Sequence, residues 1–362
     1  MIRLEVLNDT IMIKIGQDQQ IILSIFIEKG QMSSSEVHDD LVERGNDVSL
    51  ITVKRTLSEM RDANLLEIFG AGRSVKYTIS SVGRLFTNID STKYNSIEPD
   101  KRYGLKSFNF SIFEVLLNDV FTESENSILE NATSFYQKQI SDLSKTIQEK
   151  ELERFIIELS WKSSKIEGNT YELLETQRLI ERGIEAQGHD KKEAIMILNH
   201  KYAFNFIREN MESFKTISQA NIEEVHKILV KDMDVGYGLR SKLVGITGSL
   251  YRPLDNQHQI LEAVQSLVQT INKIQNPYAK ALLAVVGISY IQPFEDGNKR
   301  TSRLVANAIL LAHGLAPLSY RSVDENTYRE AILVFYELNS ILAFKKIFIE
   351  QYDFAARNYA VK

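Results

Sequence analysis

Ile291-Gln292-Pro293-Phe294-Glu295-Asp296-Gly297-Asn298-Lys299-Arg300-Thr301-Ser302-Arg303 is the stretch on which the reading of this chain turns. An apolar helix closes near Ile291 and a second opens near Asn298. Between them lies a short acidic loop with one glycine. Backbone N–H groups at the start of the second helix carry the positive end of its dipole, which makes an anion site suited to phosphate. Arg300 in the first turn and Arg303 three residues later share a helix face. Both guanidinium groups can add charge-assisted bonds to phosphate oxygens. Asp296 offers a hard oxygen ligand for Mg²⁺, which binds through few carboxylates plus substrate phosphates. The spacing therefore suits a Mg-nucleotide or diphosphate cradle. A plain helix N-cap with two surface arginines is the other reading of the same residues.

Outward from this loop the pattern is helical. Apolar residues at helical spacing predict helices over 191–209, 219–231, 260–274, 278–290, 299–313, 326–336 and 340–352. One segment breaks the run. Leu243-Val244-Gly245-Ile246-Thr247-Gly248-Ser249-Leu250-Tyr251-Arg252-Pro253 has strand residues around a glycine turn and reads as a short β-hairpin. Residues 86–105 form a polar connector, and 108–158 are helical, with a Gln/Glu/Lys/Ser-rich stretch at 137–151 that reads as a solvated face. Residues 1–85 read as a separate unit. It has an apolar stripe at Ile21, Ile22, Ile25 and Phe26, a serine-capped helix through Leu41, and a third helix opening at Ser49. Strands at Leu65–Phe69 and Val75–Ile79 then flank a Gly70–Arg73 turn.

Three helices followed by a hairpin resemble a winged helix-turn-helix, a DNA-binding fold. That resemblance puts the 49–63 helix in a major groove and Arg73 and Lys76 on phosphate. From 51 to 84 the chain has Lys54, Arg55, Arg61, Arg73, Lys76 and Arg84 against Glu59, Asp62 and Glu67. Over 1–85, however, ten basic residues meet twelve acidic ones, a weak electrostatic footprint. DNA through residues 49–79 and a protein contact, including a homodimer, both stay open.

The 362 residues carry 43 Lys and Arg against 48 Asp and Glu, for a formal charge of −5, so no global basic footprint exists. A hydrophobic fraction of 43% supports sizeable cores and excludes wholesale disorder. Zero cysteines exclude disulfides, thiolate zinc sites and cysteine nucleophiles, and suit a cytoplasmic setting. No apolar run of about 18 residues is present, so no membrane span is expected.

The 292–303 loop resembles the signature of Fic-domain proteins, His-Pro-Phe-x-Asp/Glu-Gly-Asn-Gly-Arg-x-x-Arg. Pro293, Phe294, Asp296, Gly297, Asn298, Arg300 and Arg303 match. Gln292 stands in the family's His position, and Lys299 where Gly is usual. Ser163-Ser164-Lys165-Ile166-Glu167-Gly168-Asn169 is similar to the family's inhibitory motif, Ser/Thr-x-x-x-Glu-Gly/Asn. The 243–253 hairpin lies between the two, where the family has its target-docking flap.

The resemblance implies a mainly α protein: a winged-helix domain at 1–85, a linker and helical region at 86–158, and a Fic domain at 159–359. Within the last would lie an inhibitory helix at 159–169, a β-hairpin flap at 243–253 and the signature loop at 292–303. It implies AMP transfer from ATP, with Mg²⁺, to a hydroxyl of an unidentified target protein. Asp296 would hold the metal. Gly297, Asn298, Lys299, Arg300 and Arg303 would contact phosphate, and Tyr328 would line the adenine pocket. Ser163, Glu167, Gly168 and Asn169 would form the inhibitory element, with Glu167 on Arg303. Val244, Ile246 and Tyr251 would belong to the flap. At the catalytic position Gln292 cannot act as general base, because an amide does not titrate near neutral pH. Lys299 also matches the Doc branch, which resembles a phosphotransferase. A non-catalytic ATP-sensing regulator is the remaining alternative.

Overall fold

The structure is a computed structural model that describes residues 3–7, 10–117 and 119–361; at 3–7, 10–14 and Arg73 it describes the backbone alone. In chain order the elements are β1 (Arg3–Leu7), β2 (Thr10–Lys14), α1 (Gln17–Lys29), α2 (Ser34–Glu43), α3 (Leu50–Asp62), β3 (Leu66–Phe69) and β4 (Lys76–Ile79). Short helices α4 (Ser81–Leu85), α5 (Ser91–Asn95) and α6 (Ile112–Val115) follow. Then come α7 (Glu123–Asp142), α8 (Lys145–Ile166), α9 (Leu173–Arg182), α10 (Lys191–Glu209), α11 (Gln219–Leu229) and α12 (Gln257–Lys273). The last four are α13 (Pro277–Ile291), α14 (Asn298–Ala312), α15 (Glu325–Leu338) and α16 (Leu342–Asn358). The fold is mainly α, as the periodicity requires.

The chain divides into two compact units. The first comprises residues 1–119, 246–252 and 330–344. Its core gathers Leu23, Ile25 and Phe26 of α1, Val37 of α2, Val53, Leu57 and Met60 of α3, and Val334 and Leu338 of α15. Ser33 caps α2 through a reciprocal box with Glu36, and Ser49 caps α3 by accepting from Thr52 N. β3 and β4 pair antiparallel, with Leu66 opposite Ile79, and Met32 bridges to Tyr77. The antiparallel β1–β2 pair, with Arg3 opposite Lys14, is an element that the apolar pattern did not announce. On α3 the side chains of Ile51, Lys54, Arg55 and Glu59 face solvent.

The expected β-hairpin at 243–253 is corrected: no strand forms there. The segment is irregular, with one turn at Thr247–Gly248 where Ser249 N donates to Ile246 O at 3.2 Å. Its backbone donors are engaged elsewhere, which removes the cross-strand ladder. Leu250 N donates to Glu337 Oε1 at 3.2 Å and Tyr251 N to Ser249 Oγ at 3.2 Å. Arg252 N donates to Lys106 O at 3.0 Å. Tyr251 is buried against the Tyr336 ring, 5.8 Å between centroids, while Val244 and Ile246 are half-buried.

The second unit comprises 120–245, 253–329 and 345–362. At its centre α13 is apolar all round and buried along its length, as such a helix must be. It packs against α14, and a buried Ser289–Ser302 bond of 2.9 Å ties the two. The α8 C-terminal half packs against α9 and α10 through Ile157, Leu179, Ile180 and Ile197. Helices α8, α10, α13 and α14 present the central residues of the site.

Candidate functional site

The loop between α13 and α14 is set by two left-handed residues. Gln292 ends α13 at φ 51° and ψ 59°, and Gly297 precedes α14 at φ 79°. Glycine suits the second position on two counts: its positive φ, and space, since a Cβ there would lie 3.0 Å from Val230 Cγ1. Asn298 closes the loop on itself. Its Oδ1 accepts from Phe294 N at 2.8 Å and its Nδ2 donates to Phe294 O at 2.9 Å. His226 of α11 stacks flat on the Phe294 ring at 3.7 Å and bonds Asp296 O through Nε2 at 3.0 Å. Arg240 grips the other side: its N donates to Pro293 O at 2.9 Å and its Nε to Gln292 O at 2.7 Å.

The α14 arginines are buried, Arg300 at 2% and Arg303 at 0% exposure, which rules out the reading as surface arginines. Buried guanidinium groups need partners. Arg300 Nη2 meets Asp296 Oδ2 at 3.1 Å. Arg303 Nη2 donates to Glu167 Oε1 at 2.9 Å and to Ser163 O at 2.8 Å, and its Nε donates to Ser163 Oγ at 2.8 Å. Lys299 Nζ lies 3.6 Å from Glu167 Oε2. Burial pushes the Glu167 carboxyl up, but Arg303, Lys299 and Arg300 outweigh it and hold the group below the usual carboxylate range. The Tyr328 ring is buried over the Arg303 guanidinium at 5.4 Å, with Tyr320 at 5.9 Å.

The inhibitory helix expected over 159–169 stops earlier. α8 ends at Ile166, and Glu167 is its C-cap, because Gly168 turns left-handed at φ 97°. Asn169 then fixes the turn: its Nδ2 donates to Glu193 O at 3.0 Å and its Oδ1 accepts from Tyr171 N at 3.0 Å. The structure thus brings Ser163, Glu167, Lys299 and Arg303 together. Gln292 is turned back on its own helix, its Nε2 donating to Ser289 O at 2.6 Å. The Asp296 side chain is 64% exposed. Among the described residues no group of three His, Asp or Glu side chains forms a metal cage. One accessible carboxylate beside a helix N-terminus fits Mg²⁺ brought by substrate phosphates better than a resident metal.

Sequence reasoning missed two histidines, His200 and His226. Both lie on apolar helix faces where a histidine reads as core. Only the approach of α10 to Ser163 and of α11 to Phe294 reveals their contacts.

Residues 216–310 match the Fic/DOC family. The chain is 29% identical over 173 residues to the protein adenylyltransferase Fic of Nematostella vectensis, covering 46% of this chain and 40% of that relative. It is 26% identical over 201 residues to the protein adenylyltransferase Fic of Aedes aegypti, covering 54% and 40%. These curated relatives are thus matched over well under half their length. Among solved structures, a Fic-domain-containing signalling protein from Bacteroides thetaiotaomicron superposes with a TM-score of 0.55 at 22% identity, over 63% of this chain and 94% of that one. Fic-1 (residues 134–508) from Caenorhabditis elegans gives 0.54 at 19%, over 68% and 79%. Motif and family model agree that residues 216–310 match the Fic/DOC family, and the helical architecture is that of solved Fic-domain structures.

Proposed function

We propose that the chain is a Fic-type AMP transferase held inactive by Glu167, with ATP as donor and a hydroxyl of a protein as acceptor. The carrying observation is the fully buried Arg303 bonded to Glu167 at 2.9 Å. A carboxylate on that guanidinium competes with a phosphate for the same donors. In transfer, the acceptor oxygen forms a bond to the α-phosphorus, the bond to the bridging α–β oxygen breaks, and pyrophosphate leaves. The first turn of α14 and Arg300 bind phosphate oxygens, Arg303 receives the γ-phosphate once Glu167 withdraws, and Asp296 would hold Mg²⁺ against the substrate phosphates. Bound Mg²⁺ would supply charge neutralisation on those oxygens.

The acceptor hydroxyl must lose a proton, and Gln292 offers no titratable group to receive it. Its amide is moreover bonded to Ser289 O. That observation favours a second reading, a regulator that binds nucleotide without turnover. In either reading residues 17–79 act as a winged helix. What supports this is the order α1–α2–α3–β3–β4 and the open α3 face with Lys54 and Arg55. DNA and a protein contact are the two candidate partners of that face, with six basic residues against three acidic ones over 51–84. ATP labelled at the α-phosphate decides between the two readings, with Glu167→Gly and the double variant Glu167→Gly/Gln292→His as proteins. AMP transfer should rise by at least ~10²-fold when Gln292→His is added, the low end for general-base catalysis. A flat response with ATP binding intact leaves the regulator.

A further inference from the structure

His200 has no part in the proposed transfer, yet it is 0% exposed and its ring reaches the inhibitory element. Its Nδ1 lies 3.3 Å from Met196 O, and its Nε2 lies 2.8 Å from Ser163 Oγ. Ser163 Oγ also accepts from Arg303 Nε at 2.8 Å. Directions follow from the donor inventory. A carbonyl oxygen only accepts, so the hydrogen sits on Nδ1 and points at Met196 O. In the neutral ring Nε2 is then a bare acceptor. The Ser163 hydroxyl gives its one hydrogen to that nitrogen, which leaves its oxygen lone pairs for Arg303. Burial, reinforced by Arg300 and Arg303, pushes the His200 pKa down to about 3, so the ring is neutral at physiological pH.

The geometry points to His200 as a positioning residue of the inhibited state: through Ser163 it fixes Arg303 in the orientation that Glu167 captures. This rests on the reading of Glu167 as a plug competing with the γ-phosphate. An apolar residue at 200 leaves the Ser163 hydroxyl without its acceptor and free to rotate. Arg303 then loses a fixed partner on its Nε edge, and the balance shifts from Glu167 to phosphate. Arg300 and Arg303 repel a protonated imidazole, and they and burial outweigh Glu167, which would favour one. The arrangement therefore works only with the neutral tautomer.

The test uses the full chain. Imidazole ¹⁵N shifts of His200 should show a bare Nε2 and a protonated Nδ1 at pH 7; a protonated Nε2 overturns the relay. His200→Leu should tighten ATP binding by about fivefold to tenfold, the scale of one buried hydrogen bond, and leave AMP binding unchanged. His200→Gln restores an acceptor carbonyl and should stay within about twofold of the parent, on the same scale. Equal effects of Leu and Gln overturn the proposal. If His200→Leu fails to fold, Ser163→Ala removes the relay from the other end and must give the same gain for ATP alone; no gain overturns it. Glu167→Gly serves as the control. If that variant leaves ATP affinity unchanged, the plug reading falls, and the tautomer still decides whether the relay exists.

Discussion

Replacing Glu167 by glycine removes the carboxylate that holds Arg303 at 2.9 Å and Lys299 at 3.6 Å. A charged hydrogen bond contributes about 1.5–3 kcal/mol, and each 1.4 kcal/mol is about tenfold in affinity. The ceiling on the gain in ATP affinity is therefore about 10–150-fold. Two features lower it. The Glu167 side chain is 19% exposed, so water screens part of the pair, and Arg303 keeps both Ser163 bonds after the change. The lower end, about tenfold, is the expected value. Calorimetry with ATP and with AMP checks it, because only ATP carries a phosphate that could take the vacated donor. Loss of the carboxylate should also lower thermal stability without nucleotide, since a fully buried guanidinium loses the carboxylate bonded to it. Saturating ATP should recover that loss. Glu167→Gln, which keeps an acceptor without its charge, should fall between parent and Gly. Equal gains for ATP and AMP, or a gain with no cost in stability, would refute the reasoning.

Stability should rise with pH between about 4 and 6.5, because the folded state holds His200 near 3 and His226 near 4 while the unfolded chain binds protons on both. Each histidine contributes a slope of about 1.4 kcal/mol per pH unit within that window, and denaturant titrations should show His200→Gln losing one of the two slopes. Gly297→Ala must strain φ 79° and push on Val230 Cγ1, so ATP binding should weaken at least about tenfold with the rest of the fold intact, read by calorimetry and circular dichroism. If α3 contacts DNA, gel shifts with genomic fragments should weaken steeply as salt rises from ~50 to ~200 mM and be lost in Arg55→Ala. Fragments that fail to shift at ~50 mM salt would assign that face to a protein partner instead.

The sequence alone was enough for the helical architecture, because helix periodicity is a local property. α10 spans the predicted 191–209, and α13 and α14 fall within a residue of 278–290 and 299–313. It was also enough for the loop, since Gly297 and Asn298 act through backbone conformation and bonds to residues at most four positions away. What it could not provide was anything decided by distant partners. The 243–253 segment has strand residues, but strands need a ladder, and its donors go to Glu337 and Lys106. Tyr328 is a candidate for an adenine pocket by the resemblance alone, and only packing sets its ring over Arg303. Gln292 is legible in the sequence as a side chain that cannot titrate, but only the left-handed end of α13 returns its amide to Ser289. His200 carries no signal in its own neighbourhood. Its contact with Ser163, 37 residues earlier, exists only because α8 and α10 pack side by side. Local chemistry sets the loop between α13 and α14, while the Glu167–Arg303 pair, expected from the family resemblance alone, is brought together by helix packing that no spacing along the chain encodes.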